Sequence, residues 1–397
     1  MCNTVGTGYD LADGRVTYIS KNDDMGVMLE PIDMPDALAG RWLDLERRSD
    51  GSFFQSWAWI GCWLRHLHAD LAPRLLAVSV GPEVVGLGVL VAHRKTRHGL
   101  LRARGLHLNE TGDPCVDPLG LEYNGLLVDR RVSRADVACR CLSWLVERET
   151  GWDELNLGGL EAEVAELWGK AASEISLAVR VRAKERCGRV DLMDLRRKGG
   201  DYLGRLSSNT RQQIRRSMRL YETTGPLRLE LAQTIEDAFG TLEDLKELHQ
   251  AYWTKKGHPG AFARGFFEPF HRDLISTRFG AGEIQLLRIS AGSRLIGCLY
   301  NFVRNGRIYA YQSGFDYDSD PRLKPGLVSH CLAIHHNLEQ GARIYDFMAG
   351  DSRHKRSLGT DSHELTWLVV QRPYAGLQIE NALRAIRWKF VGQTRNG

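Results

Sequence analysis

The sequence predicts an α/β chain, with a mixed sheet carried in two tandem units, on three observations. Gly306 to Thr360 reads as strand, basic turn, helix, strand and polar loop. The first half runs through a similar order of strands and helices, with different residues at each step. The 397 residues exceed what one core usually holds, against roughly 100 to 200 residues per domain.

Composition narrows the class. Hydrophobic residues make up 43% and charged residues 26%, the balance of a soluble globular protein, and no apolar run approaches the ~20 residues a membrane-spanning helix needs. A net charge of +4 is too small to argue for nucleic acid, whereas the prevalence of arginine among the basic residues suits phosphate or carboxylate contacts. A small anion is the expected partner. The eight cysteines form no C-x-x-C pair. Cys139 and Cys141 fall on a predicted helix, and Cys62, Cys298 and Cys331 sit in apolar patterns as small core residues, so neither disulfides nor a metal is expected.

In chain order, residues 1–24 lack the basic and apolar regions of a signal peptide and read as a loose leader, which places the protein in the cytoplasm. Trp42 to Arg48 ends a helix. Phe53, Phe54, Trp57, Trp59, Ile60 and Trp63 then crowd aromatic mass at helical spacing, which is expected to be core rather than a substrate box. Leu75–Val80 and Val84–Ala92 read as strands joined by a Gly81-Pro82 turn, with a weaker strand at Leu100–Leu108. A helix at Ser133–Glu149, a strand at Trp152–Leu157, a helix at Glu161–Ser173 and an extended Ile175–Arg182 complete the first unit. Ala183–Asp201 is charged and glycine-containing, so the units are taken as 25–185 and 186–397.

In the second unit, Arg211, Arg215 and Arg219 recur every fourth residue on a helix over Asn209–Tyr221, while Ile214, Met218 and Tyr221 mark another face. The basic stripe is either a solvated face or a cleft wall that holds an anion. Thr241–Lys256 is a helix carrying His249 and Trp253, and a lone histidine there is ordinarily structural. A helix to Arg278 follows, then an antiparallel meander of Glu283–Ile289, Arg294–Val303 and Arg307–Phe315. Pro321, Pro325 and Gly326 stop the last strand. From Leu327 the apolar residues Leu327, Cys331, Ile334 and Leu338 line one helix face as far as Gly341. A strand feeding a helix whose first turn carries Gly326 behind Arg322 and Lys324 offers free N–H groups and positive charge to a phosphate, or is a plain turn. Arg343–Met348 is the next strand, Glu364–Gln371 closes the sheet, and Ala382–Phe390 is a final helix.

These stretches resemble the GNAT acyltransferases, within them the BioF2-like or CelD-like branch related to the FemAB/FemX transferases. The resemblance is carried by YQSGFD (Tyr311–Asp316), the KPG turn and its helix, EQGARIYDFMAGD (Glu339–Asp351) and KRSLG (Lys355–Gly359). SFFQSWAWIGCWLRHL (Ser52–Leu67), LSSNTRQQIRRSMR (Leu206–Arg219) and LHQAYW (Leu248–Trp253) look like further family blocks in the family's order. The resemblance implies tandem GNAT-like domains, with a thioester donor held in the C-terminal one where the sheet splays open. The donor would be acyl-CoA or an acylated acyl carrier protein, with no metal. Tyr311, Gln312 and Ser313 would hold its arm, and Arg322, Lys324, Gly326, Leu327 and Val328 its phosphates. Asp346, Asp351, His354 and Lys355 are the polar candidates for catalysis, His354 standing where the family has a tyrosine. Arg211, Arg215, His249 and Trp253 are candidates for holding the substrate.

Three functions follow. The leading one is N-acyl transfer by direct attack of an amine on a sugar, amino acid or peptide. A FemX-like aminoacyl transfer would bring tRNA as partner, with binding that falls steeply with salt. A non-catalytic accessory role in polysaccharide export would keep the fold without donor binding.

Overall fold

The computed structural model describes residues 25–97, 101–117, 119–350 and 352–373. The leader, Asp351 and the predicted helix at Ala382–Phe390 lie outside them. The first half contains β1 (Met25–Pro31), α1 (Ala39–Arg47), α2 (Trp57–His66), β2 (Arg74–Val80), β3 (Glu83–Arg97), β4 (Leu101–Leu108), β5 (Leu127–Val128), α3 (Arg134–Arg148), β6 (Glu154–Glu161), α4 (Ala162–Glu174) and β7 (Ala178–Asp191). The second half contains α5 (Leu192–Arg197), α6 (Tyr202–Arg205), α7 (Ser208–Glu222), β8 (Leu227–Leu231), α8 (Ile235–Lys255), α9 (Phe267–Arg278), β9 (Ile284–Ala291), β10 (Arg294–Arg304), β11 (Arg307–Phe315), α10 (Pro325–Glu339), β12 (Ile344–Ala349), α11 (Arg353–Leu358) and β13 (Asp361–Gln371).

The mixed α/β architecture is as expected, but the two halves share one sheet in the order β1-β2-β3-β4-β6-β13-β7-β12-β11-β10-β9-β8, with β5 on β3. The last strands are exchanged: β13 pairs with β6 and β7, and β7 also pairs with β12. Residues 185 and 186 therefore fall inside β7. The charged stretch that reads as a linker is strand as far as Asp191 and then α5, because its alternating charged residues lie on a half-exposed strand. The polar loop after Met348 likewise contains a short helix, α11.

The aromatic block is core. Phe53, Phe54, Trp59 and Ile60 are no more than 1% exposed, and Phe53 stacks on Phe302 of β10 at 4.3 Å, joining the halves. These side chains lie with α1, α2, α8 and α9 on one face of the sheet. The opposite face is covered by α3 and α4 over the first half and by α7 and α10 over the second, where Ile214, Val328, Ile334 and Tyr345 pack together.

Candidate active site

β11 and β12 run parallel for only three pairs, Arg307↔Ile344, Ile308↔Tyr345 and Tyr309↔Asp346, after which they share no ladder. On its other side β11 is bulged: Tyr300 pairs with Gln312 and Asn301 with Ala310, leaving Tyr311 unmatched. The segment from Ala310 to Phe315 thus lies beyond the point where β12 leaves it.

α10 begins at this opening. No side chain caps its first turn, and Pro325 stands at the first position, where an N–H is not needed. Gly326 is buried, and a Cβ there would lie 3.2 Å from the Phe315 ring, so glycine lets the turn close on the end of β11. The Lys324 N–H donates to Ser217 Oγ at 2.9 Å, which fastens α7 beside the turn. Arg322 is chelated by Asp320, so part of the predicted basic charge is already balanced within the loop.

The end of β12 is held by buried polar groups. Asp346 is fully buried; its Oδ1 accepts from the Met348 N–H and its Oδ2 from the Tyr123 hydroxyl, both at 2.8 Å. The Tyr123 proton being used there, the His363 Nε2–H donates to the Tyr123 oxygen at 2.8 Å. Arg307 comes within 3.8 Å of Asp346 and lies over the Tyr123 ring. Met348 takes φ +61°, a left-handed conformation that costs a non-glycine residue about 1 kcal/mol or more, at the point where β12 has left β11 and its register on β7 shifts. Beyond it, the Ala349 peptide is gripped from both sides. Its N–H donates to Glu122 Oε2 at 2.6 Å, and its carbonyl accepts from Lys355 Nζ at 2.5 Å. Burial pushes the Glu122 carboxyl up to about 7, although the Ala349 N–H and the Lys355 charge pull the other way. Burial also lowers Lys355, with Glu122, Cys187, Asp346 and Glu185 opposing.

Glu122 and Tyr123 come from the first half, on the segment between β4 and β5. There β4 and β6 repeat the geometry of β11 and β12, with three parallel pairs from Gly105↔Glu154 to His107↔Asn156. This second opening is filled by its own loop. Asn109 Nδ2 donates to Asn124 Oδ1 and to the Gly125 carbonyl, Asn124 Nδ2 donates to the Leu108 carbonyl, and the Asn124 N–H donates to Gly159. Ser133 also caps α3. Only the C-terminal opening is left with an uncapped helix start, in keeping with the first half's lack of a basic glycine turn.

The predicted residues divide between the two faces. Asp346 and Lys355 gather at the end of β12. His354 turns instead toward α10, stacked on His330 with ring centroids 6.1 Å apart, and burial with the neighbouring Lys355 charge lowers it to about 4. Arg211 and Arg215 lie on α7, next to the α10 turn, whereas His249 and Trp253 lie on α8 across the sheet. His249 is fully used by the protein: its Nδ1–H donates to the Ser313 carbonyl and its Nε2 accepts from the Ala261 N–H, each at 3.2 Å. Trp253 is 37% exposed beside it. The Tyr311 side chain faces the core, where its hydroxyl donates to the Leu119 carbonyl and meets His271, so only its backbone is placed at the opening. Gln312 accepts from the Ser313 N–H. Leu327 and Val328 are buried under α7.

The sequence reading missed Glu122, Tyr123, His363 and Arg307. The first two are marked only by a glycine-flanked polar turn, GLEYNG (Gly120–Gly125), and the last two look like ordinary polar positions on strands. Among the described residues, Cys62, His66 and Asp273 bring possible metal ligands within 4.8 Å of one another. Arg65 lies 3.3 Å from the same Asp273 oxygen, and the group reads as a hydrogen-bonded staple between α2 and α9. No helix of the described residues is long and apolar enough to cross a membrane.

Residues 208–356 match the model of the acetyltransferase (GNAT) domain, which spans α7 to α11 and so the whole opening. No curated protein matches the chain. Among solved structures, FemX superposes with a TM-score of 0.53 at 12% identity, over 86% of this chain and 96% of that one. The C-terminal domain of a putative lysylphosphatidylglycerol synthetase from Agrobacterium fabrum gives 0.52 at 12% identity, over 88% and 96%. L-PGS from Bacillus licheniformis gives 0.52 at 11%, over 87% and 94%. At these identities the likeness is one of fold.

Proposed function

We propose, from the GNAT acetyltransferase domain matched over residues 208–356, that the chain is a GNAT-type N-acyltransferase and transfers an acyl group from acyl-CoA, or from an acyl carrier protein, to an amine of a sugar, amino acid or peptide by direct attack. The observation that carries this reading is the opening between β11 and β12, with the uncapped first turn of α10 at its edge. The thioester arm lies along Ala310–Phe315, where backbone N–H groups polarise the acyl carbonyl. The phosphates lie at Gly326 and Leu327, with Lys324 and the basic face of α7 alongside. The kinship to the BioF2-like or CelD-like branch belongs to the same proposal.

Binding of an acyl-CoA is therefore expected to raise the melting temperature, by an amount equivalent to about 2.7 kcal/mol at a hundredfold excess over Kd, while bulk tRNA does not. Stabilisation by aminoacyl-tRNA, with none from any acyl-CoA or acyl carrier protein, selects the FemX-like reading. No response to either class of donor selects the accessory role.

Lys355 supplies a half-buried positive charge behind the Ala349 peptide, next to where the thioester carbonyl would sit. Lys355→Ala is expected to fold and to lose turnover by more than about tenfold, ~1.4 kcal/mol at the transition state. Steady-state kinetics beside circular dichroism check this, and wild-type turnover removes Lys355 from the chemistry.

A further inference from the structure

We propose that the first half is the acceptor half: Glu122 is the base that deprotonates the attacking amine, and the groove leading away from it takes an acceptor whose amine is tethered to a phosphate or carboxylate held at Arg182. This rests on the donor reading above and extends it to the second substrate.

The groove is a cleft of about 1020 Å³ over β3, β4, β6, β13 and β7. Glu122, Glu185 and Ala349 line its end nearest the donor opening, and Lys95, Arg180 and Arg182 line it farther along the strands. A bulge in β7 creates that second region. Ala183 pairs with Trp367 and Val181 with Leu368, so Arg182 has no opposite residue. Side chains alternate along a strand, and without the extra residue Arg180 and Arg182 would point away from the face that carries Glu185 and Cys187. With it, both join the groove. Cys187 pairs with Ala349 in the ladder, and the five residues from there to Arg182 cover roughly 17 Å of strand. Glu110, Asp117 and Glu154 line the groove as well. Burial pushes Glu110, beside Arg182, up to about 8, so that it is protonated at neutral pH; Asp117 accepts from Thr111 and Gly112, and Glu154 from Gln371. With Glu122 and Glu185 at the reacting end and the Arg182 guanidinium farther along, the groove suits a molecule with an ammonium at one end and an anion at the other.

Glu122 meets the requirements of a base. One carboxylate oxygen is occupied by the Ala349 N–H, which aims the group, and the side chain borders the groove. The charged and titratable groups around it are Lys355 on α11, Asp346 on β12, Glu185 and Cys187 on β7, and Tyr311 on β11. Its elevation to about 7 gives it affinity for a proton in the neutral range. In the reaction, Glu122 takes one proton from the ammonium, and the freed lone pair forms the C–N bond to the thioester carbonyl carbon. The adduct collapses with cleavage of the C–S bond, the second nitrogen proton neutralises the departing thiolate, and the products are an amide and a thiol.

The test uses the full chain, acyl-CoA donors from acetyl to palmitoyl, and aminohexyl phosphate against aminohexanol as acceptors, with thiol release as readout. Wild type is expected to prefer the phosphate by tenfold or more in kcat/KM, and Arg182→Gln to lose that preference. Glu122→Gln retains an acceptor for the Ala349 N–H. It is expected to keep the thermal shift with donor, to lose about a hundredfold or more in kcat, and to lose the acid limb of the pH–rate profile near neutrality. An unaltered kcat and acid limb in Glu122→Gln, equal use of the two amines, or a wild type that binds donor but acylates neither overturns the proposal. If no acyl-CoA shifts wild type, the donor reading fails instead, and the base is tested without ligand. A raised carboxyl pKa stabilises the fold at low pH and loses that contribution as pH rises through the folded value. The melting temperature of Glu122→Gln is therefore expected to gain on wild type between about pH 5 and pH 8, and a flat difference rules out the elevated carboxyl.

Discussion

Gly326→Asp is expected to abolish donor binding while the first half stays folded. The glycine N–H belongs to the positive end of α10, and its missing Cβ lets the turn lie against the Phe315 ring at the end of β11. An aspartate places a carboxylate where the pyrophosphate should sit, replacing attraction by repulsion in a partly desolvated site. A hundredfold weaker Kd, about 2.7 kcal/mol, is the least effect expected. Gly326→Ala introduces only a methyl group, at 3.2 Å from a ring that must yield by a few tenths of an ångström, and is expected to bind a few-fold more weakly. Titration calorimetry on the three proteins decides the point. If Gly326→Asp binds the donor as tightly as wild type, the phosphates do not lie at this turn.

The second large effect is on stability. Asp346→Ala removes a fully buried carboxylate on which the Tyr123 hydroxyl, the Met348 N–H and the charge of Arg307 converge. Losing one partner of a buried charged group costs roughly 3–5 kcal/mol, because the Tyr123 hydroxyl and the Met348 N–H lose their acceptor and the Arg307 guanidinium keeps only Glu161 as a carboxylate partner. Met348 also loses the bond that holds its left-handed backbone. Urea unfolding is expected to show that loss, and Asp346→Asn, which keeps an acceptor oxygen, is expected to lose less. A destabilisation under about 1 kcal/mol for Asp346→Ala would mean that water replaces the carboxylate and that the cluster does not hold the end of β12.

The aromatic block at Phe53–Trp63 and the helix at Pro325–Glu339 were legible because each is a local pattern whose period matches one element. Lys355 and His354 show where such patterns stop being sufficient. They are adjacent in sequence and were candidates for one site, yet on α11 their side chains diverge, one to the Ala349 carbonyl and the other to His330. Neighbours on a helix are about 100° apart, so only the packing of α11 decides which of them reaches β12. His249 was a plausible ligand in sequence and is a brace for β11 in the fold, because both ring nitrogens find backbone partners.

By itself the sequence determined most of the strands and helices, the apolar faces of α2, α7 and α10 and the glycine turn that opens α10, since these depend on periodicity, turn chemistry and the special backbone of glycine and proline; β1, β8, α5 and α11 were not read from it. The tertiary structure alone decided that β7 and β13 exchange halves, that the loop filling the first opening delivers Glu122 and Tyr123 to the second, and that a one-residue bulge turns Arg182 into the groove. Those outcomes rest on pairing between residues more than 150 positions apart, as between Tyr123 and Asp346, which are separated by 223. Their partners are chosen by the burial of the whole sheet and by the need to satisfy its polar groups, and no local window of the chain contains that information.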